Sequence, residues 1–166
     1  PTGVTVADIA MMDVTQTGFV IVTKSTGDVY ILTTNLTLQG DRTAQNAAVW
    51  HHVLVGATGT TPLTGVTKLS LSSLGAFALT NSGKIYYWGA PANVAGVVNT
   101  STSYNYAYDM SAQIPAGRSV TDLVVLSGFS TFTTSNLFIL CDDKKVYSNG
   151  LNTNGVLGIN NATYTY

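Results

Sequence analysis

The chain has 166 residues, 9% of them charged, a formal net charge of −1 and no glutamate; all eight acidic residues are aspartate. Exposed helices draw on Glu, Lys and Ala, so this composition argues against a helical protein, and seven scattered Lys and Arg residues without a basic stripe argue against a nucleic-acid partner. No apolar run is long enough for a membrane-spanning helix, and a chain of this length can bury one substantial core.

In chain order, Val6-x-x-Ile9 opens the first of three similar stretches. Val20-Ile21-Val22 reads as an apolar strand, Gly27-Asp28 as a turn and Val29-Tyr30-Ile31-Leu32 as the hairpin partner. The connection from Asp41 to Gly65 holds a run from Ala47 to Val55 that reads as a strand, then a loop over 56–61. His51 and His52 are adjacent here. Neighbours on a strand point to opposite faces, and no third ligand stands at a metal-binding spacing. The expectation is one histidine inward, one at the surface and no metal site.

The plan returns in its clearest form from Val66 to Gly96. Val66, Leu69 and Leu71 form a lead-in segment, and Ala76-Phe77-Ala78-Leu79 a small apolar strand. Asn81-Ser82-Gly83-Lys84 is turn chemistry, because glycine takes positive φ without steric cost. Ile85-Tyr86-Tyr87-Trp88 has the β-branched and aromatic make-up of a half-buried pleat, ended by Gly89. A polar, aromatic connection follows, where Tyr104, Tyr106 and Tyr108 alternate and share one face of a strand. Tyrosine offers a flat ring and a hydroxyl, so this ladder, with Trp50, is the candidate ligand-binding set; the competing reading is cover for a neighbouring sheet.

The third stretch begins at Val120-Thr121-x-Leu123, as Val66-Thr67-x-Leu69 did. Asp142-Asp143-Lys144 occupies the turn, Val146-Tyr147 stands for Ile85-Tyr86, and Asn149-Gly150 stands for Trp88-Gly89. Cys141 ends an apolar run and reads as a small core residue, since a lone cysteine has no internal disulfide partner. The copies lie roughly 55–60 residues apart, a period that signals arrays or propellers.

The run Leu79-Thr80-Asn81-Ser82-Gly83-Lys84-Ile85-Tyr86-Tyr87-Trp88-Gly89 resembles the blade repeat of the RCC1 (regulator of chromosome condensation) family. So do Val146-Tyr147-Ser148-Asn149-Gly150 with Gly155-x-Leu157-Gly158, and Ile114-Pro115-Ala116-Gly117 as a lead-in. The resemblance implies an all-β fold of RCC1-like β-propeller blades, about three of them, over 1–61, 62–113 and 114–166, the last incomplete. Propellers of that family typically close a ring of seven, so either further copies, other chains or a longer parent chain complete this one, or the repeats build a β-domain that is not a propeller.

No nucleophile elbow, zinc-protease helix or phosphate loop is present, and the adjacent carboxylates Asp142 and Asp143 sit in a turn beside Lys144-Lys145. The expectation is a protein that is not an enzyme and uses no cofactor. Low charge and abundant Thr, Asn and Gly suit extracellular and virion β-proteins. The leading expectation is therefore a structural or interaction module of such an assembly, for example a phage tail, fibre or decoration protein, whose partners are other protein subunits or a host-surface glycan or protein. A carbohydrate-binding module built on Trp50, Tyr104, Tyr106 and Tyr108 is the first alternative. An RCC1-type exchange factor or scaffold for a small GTPase is the second.

Overall fold

Alternation along the middle hairpin sets the architecture. A computed structural model describes residues 2–11, 18–23, 25–33, 35–43, 49–72, 75–90, 103–127, 135–150, 152 and 155–159. Within them lie eleven strands and one short 3-10 turn, Ser111–Gln113. Strands β1 (Val6–Met11), β2 (Gly18–Thr23), β3 (Val29–Thr33) and β4 (Trp50–His52) form the first sheet, in that order. Strands β5 (Val66–Leu71), β6 (Gly75–Thr80), β7 (Ile85–Gly89) and β8 (Tyr104–Asp109) form the second. The third contains β9 (Val120–Ser127), β10 (Ser135–Cys141) and β11 (Val146–Asn149). All pairings within the sheets are antiparallel. The first strands of the sheets run beside one another, β1 against β5 and β5 against β9.

The expected strand over Ala47 to Val55 is shorter where it is described. Ala47, Ala48 and Gly96 lie outside the described residues, and β4 stops at His52. The Leu54 amide then bonds Gly40 O at 2.8 Å, and its carbonyl accepts from Ala107 N at 2.8 Å. The chain leaves the first sheet there to grip the far edge of β8 in the second, and Val55 bridges Ala107.

The middle sheet is buried on both faces. Ala76, Ala78, Tyr86 and Trp88 share one core with Val22, Val29, Ile31, Leu38 and Val53 of the first repeat and with Leu63. Phe77, Leu79, Ile85 and Tyr87, the alternate positions, share another with Leu123, Val125, Leu137, Ile139 and Cys141 of the third. A period of two therefore sorts one hairpin into two seams. Each fully buried aliphatic or aromatic side chain contributes about 1.5–3 kcal/mol, so neither outer sheet is dispensable to the middle one.

Backbone contacts fix the spacing of both seams. At the first, Val66 N donates to Gly27 O at 3.2 Å and Gly65 N to Thr26 O at 2.7 Å. At the second, Val120 N donates to Gly83 O at 3.2 Å. The hairpin turn of one sheet is thus bonded to the lead-in of the next, twice, by the same device. Gly27 and Gly83 hold φ of 66° and 77°. A Cβ at Gly27 would lie 2.4 Å from Val66 N, and one at Gly83 2.8 Å from Ser119 Cβ. The equivalent of these glycines in the third turn is Lys144, also at positive φ (65°). Gly27→Ala combines a left-handed alanine with a backbone clash and is expected to cost about 2–4 kcal/mol in chemical denaturation. Lys144→Gly, with only the conformational term to relieve, is expected to change stability by less than about 1 kcal/mol.

Candidate interaction surface

The tyrosine ladder lies on β8, held between β7 and the connection from the first sheet. Tyr108 stands opposite Tyr87 and Tyr104 opposite Gly89, with a register irregularity between. On the other side Arg42 N donates to Asn105 O at 2.8 Å, and Asp41 bridges Tyr106. The Tyr104 and Tyr108 rings lie 4.5 Å apart, with Tyr106 edge-on to Tyr104 at 5.6 Å. Tyr104 also meets Tyr87 at 6.5 Å, nearly perpendicular. Tyr104 and Tyr108 pack onto the second core, and all three ladder rings are half-buried. Burial, then the neighbouring phenols of Tyr108 and Tyr106, raise the Tyr104 phenol above its ordinary value. Burial also pushes the Tyr87 phenol up, and its hydroxyl donates to Ala90 O.

Trp50 is elsewhere. It stands opposite Leu32 at the edge of the first sheet and is 37% exposed. Among the described residues no ring contact joins it to the tyrosines. The four sequence-predicted residues therefore divide into a packed ladder and a separate exposed indole.

Among the described residues, exposed apolar side chains gather on the outer face of the third sheet. Val124 and Leu126 are 47% and 48% exposed and Val146 is 67% exposed. Val124 and Val146, with half-buried Phe138 and Leu140, line a shallow cavity of about 250 Å³. By strand register Phe138, Leu140 and Val146 match Phe77, Leu79 and Ile85 of the middle sheet, which are 0%, 3% and 1% exposed. One face is thus a seam in the second sheet and open in the third. The matching of Val146-Tyr147 to Ile85-Tyr86 gave the corresponding positions but not which face is open, and the candidate set, drawn from aromatic residues, missed this face. The first sheet is also open on its outer side, with Val6 and Ile9 49% and 59% exposed.

Charges are sparse and local. Lys68 pairs with Asp122 across the second seam, and Lys84 with Asp109 at 3.1 Å. Both pairs are well exposed, so water and salt screen them and they contribute little. His51 is buried and its Nδ1 lies 2.7 Å from Asp41 Oδ2, while His52 is partly exposed and stacks on Tyr30 at 4.4 Å. Among the described residues no three His, Cys, Asp or Glu side chains converge as metal ligands would.

The sequence matches no protein-family profile, and no curated protein is significantly similar to it. Solved structures do match. Human WBSCR16 superimposes with a TM-score of 0.67 at 15% identity, over 99% of this chain and 39% of that one. A chain in the crystal structure of Kap60 bound to yeast RCC1 (Prp20) superimposes with a TM-score of 0.58 at 9% identity, over 96% of this chain and 35% of that one. The fold is that of RCC1-like propeller blades. This chain spans between about a third and two fifths of the length of those neighbours.

The Asp41–His51 contact gives the fold a pH signature. Burial alone would raise the Asp41 carboxyl, but the Thr43 hydroxyl, the His51 ring and the Thr43 amide bring it below the ordinary carboxylate range. A carboxyl held low in the fold stabilises fully above its unfolded value, near pH 4, and loses that contribution as pH falls through its folded value. Thermal melts are expected to show Tm falling below about pH 4. Asp41→Asn is expected to flatten that fall and to lower Tm by about 2–4 °C at pH 6, the equivalent of about 1 kcal/mol.

Proposed function

We propose that this chain is a non-enzymatic structural and interaction module, an arc of propeller blades that presents the open face of its third sheet to a partner subunit in an extracellular or virion assembly. The observation that carries the reading is the contrast between Val146, 67% exposed, and its buried counterpart Ile85. A sheet face of Val124, Leu126, Phe138 and Val146 is chemically a seam face, and exposed contiguous apolar surface marks interaction sites. Lys144 refines the geometry. In the two internal seams a Cβ at this turn position meets the neighbouring lead-in, so the partner sits over the strands and clears the turn. Yeast RCC1, whose structure with Kap60 includes a chain of this fold, supports an interaction role for such blades. The low charge and absence of glutamate support an extracellular or virion setting.

Mass photometry of the native particle containing this chain tests the reading. A defined multimer or larger assembly is expected, and the double variant Val124→Asp, Val146→Asp is expected to release the chain while keeping its strand circular dichroism. A native particle of one chain, or an assembly indifferent to both substitutions, would overturn it.

A further inference from the structure

The two internal seams are not filled alike. In the first, Trp88 is fully buried and its indole Nε1–H donates to Leu38 O at 3.0 Å. The corresponding position in the second seam is Asn149, since Trp88 pairs with Ala76 and Asn149 with Leu137 in the same register. The walls correspond too. Val53 N donates to Val29 O at 3.0 Å, and Met110 N to Ile85 O at 2.9 Å. Leu137 and Ile139 replace Ala76 and Ala78 and fill the seam near β10. A cavity of about 240 Å³ remains, lined by Ile85, Met110, Ile114, Leu137, Tyr147 and Asn149 among others.

One polar atom in this cavity lacks a partner among the described residues. Asn149 Oδ1 is buried and accepts no hydrogen bond among the described residues. A buried carbonyl oxygen left without a donor carries its full desolvation cost, which a ligand that brings a donor recovers. The rest of the lining is mostly apolar, the usual make-up of a ligand pocket with a few orienting groups. Size narrows the class. An apolar cavity of about 150 Å³ takes up benzene, and this one is about half as large again, the step from benzene to a fused bicyclic ring.

We propose that the cavity between the second and third sheets binds a planar aromatic ring of the indole class, with the ring N–H donating to Asn149 Oδ1. The ring takes the place in the second seam that Trp88 holds in the first. It is carried either by a free small molecule or by a tryptophan side chain of another protein, and the chemistry at the cavity is the same.

The test is a methyl-NMR titration of the full chain with indole and with benzofuran, which has the same shape and no donor. Indole is expected to shift the methyl signals of Met110, Ile114 and Ile139 saturably, and to bind about tenfold more tightly than benzofuran, the equivalent of one hydrogen bond. Asn149→Ala is expected to bring the two affinities within about twofold. N-acetyltryptophanamide separates the sources: affinity equal to that of indole assigns a protein side chain, and weaker affinity assigns a free small molecule. The proposal is overturned if indole causes no saturable shift, if the shifts fall on the open face around Val124, or if benzofuran binds the unmodified chain as tightly as indole. That last comparison needs no variant, so it stands even where Asn149→Ala does not fold.

Discussion

The fold depends on a repeated backbone contact, the carbonyl of a left-handed turn glycine accepting from the first amide of the next sheet. Gly27 O receives Val66 N, and Gly83 O receives Val120 N, both at 3.2 Å. These bonds set how closely successive sheets approach, and the side chains between them are sized to that gap. Glycine is required because a Cβ would occupy the space of the neighbouring lead-in. The third turn, with Lys144, is the exception that shows the rule: it has the same positive φ without a described sheet against it.

Burial follows from that spacing. The middle hairpin splits its alternate residues between two cores, and both of its strands are buried along their whole length. Either outer sheet gives one face to a seam and leaves the other open. This asymmetry, more than any cluster of polar groups, is where the chemistry of the molecule lies. The charged pairs are exposed and weak, whereas the open third-sheet face and the cavity beside Asn149 are apolar and positioned by the sheets themselves.

Much of the fold was legible in the sequence. The turns at Gly27-Asp28, Asn81 to Lys84 and Asp142 to Lys144 located all three hairpins, because turn chemistry is local. The alternation of Tyr104, Tyr106 and Tyr108 located β8. The run from Ala47 to Val55 was misjudged in length, because the connection that pulls Leu54 and Val55 toward Ala107 is a tertiary demand with no local signal. Cys141 read correctly as an inward residue, and of the two adjacent histidines, one of them expected inward, it is His51 that is buried. The open face was less legible. Which face of a repeat is open depends on which neighbour covers it, and no residue of the repeat encodes that alone. The exchange of Trp88 for Asn149 was visible in the repeat, but the enlargement of Ala76 and Ala78 to Leu137 and Ile139 matters only once the cross-strand register is known.

The most direct test of this account is hydrogen exchange at the seam amides. If turn-to-lead-in bonds hold the sheets as one cooperative unit, Val66 and Val120 N–H exchange as slowly as Phe77 and Ile139 in the sheet interiors. Exchange at Val66 and Val120 on the timescale of exposed loops, with Phe77 still protected, would mean that the sheets open independently, and would contradict the claim that these two contacts organise the fold.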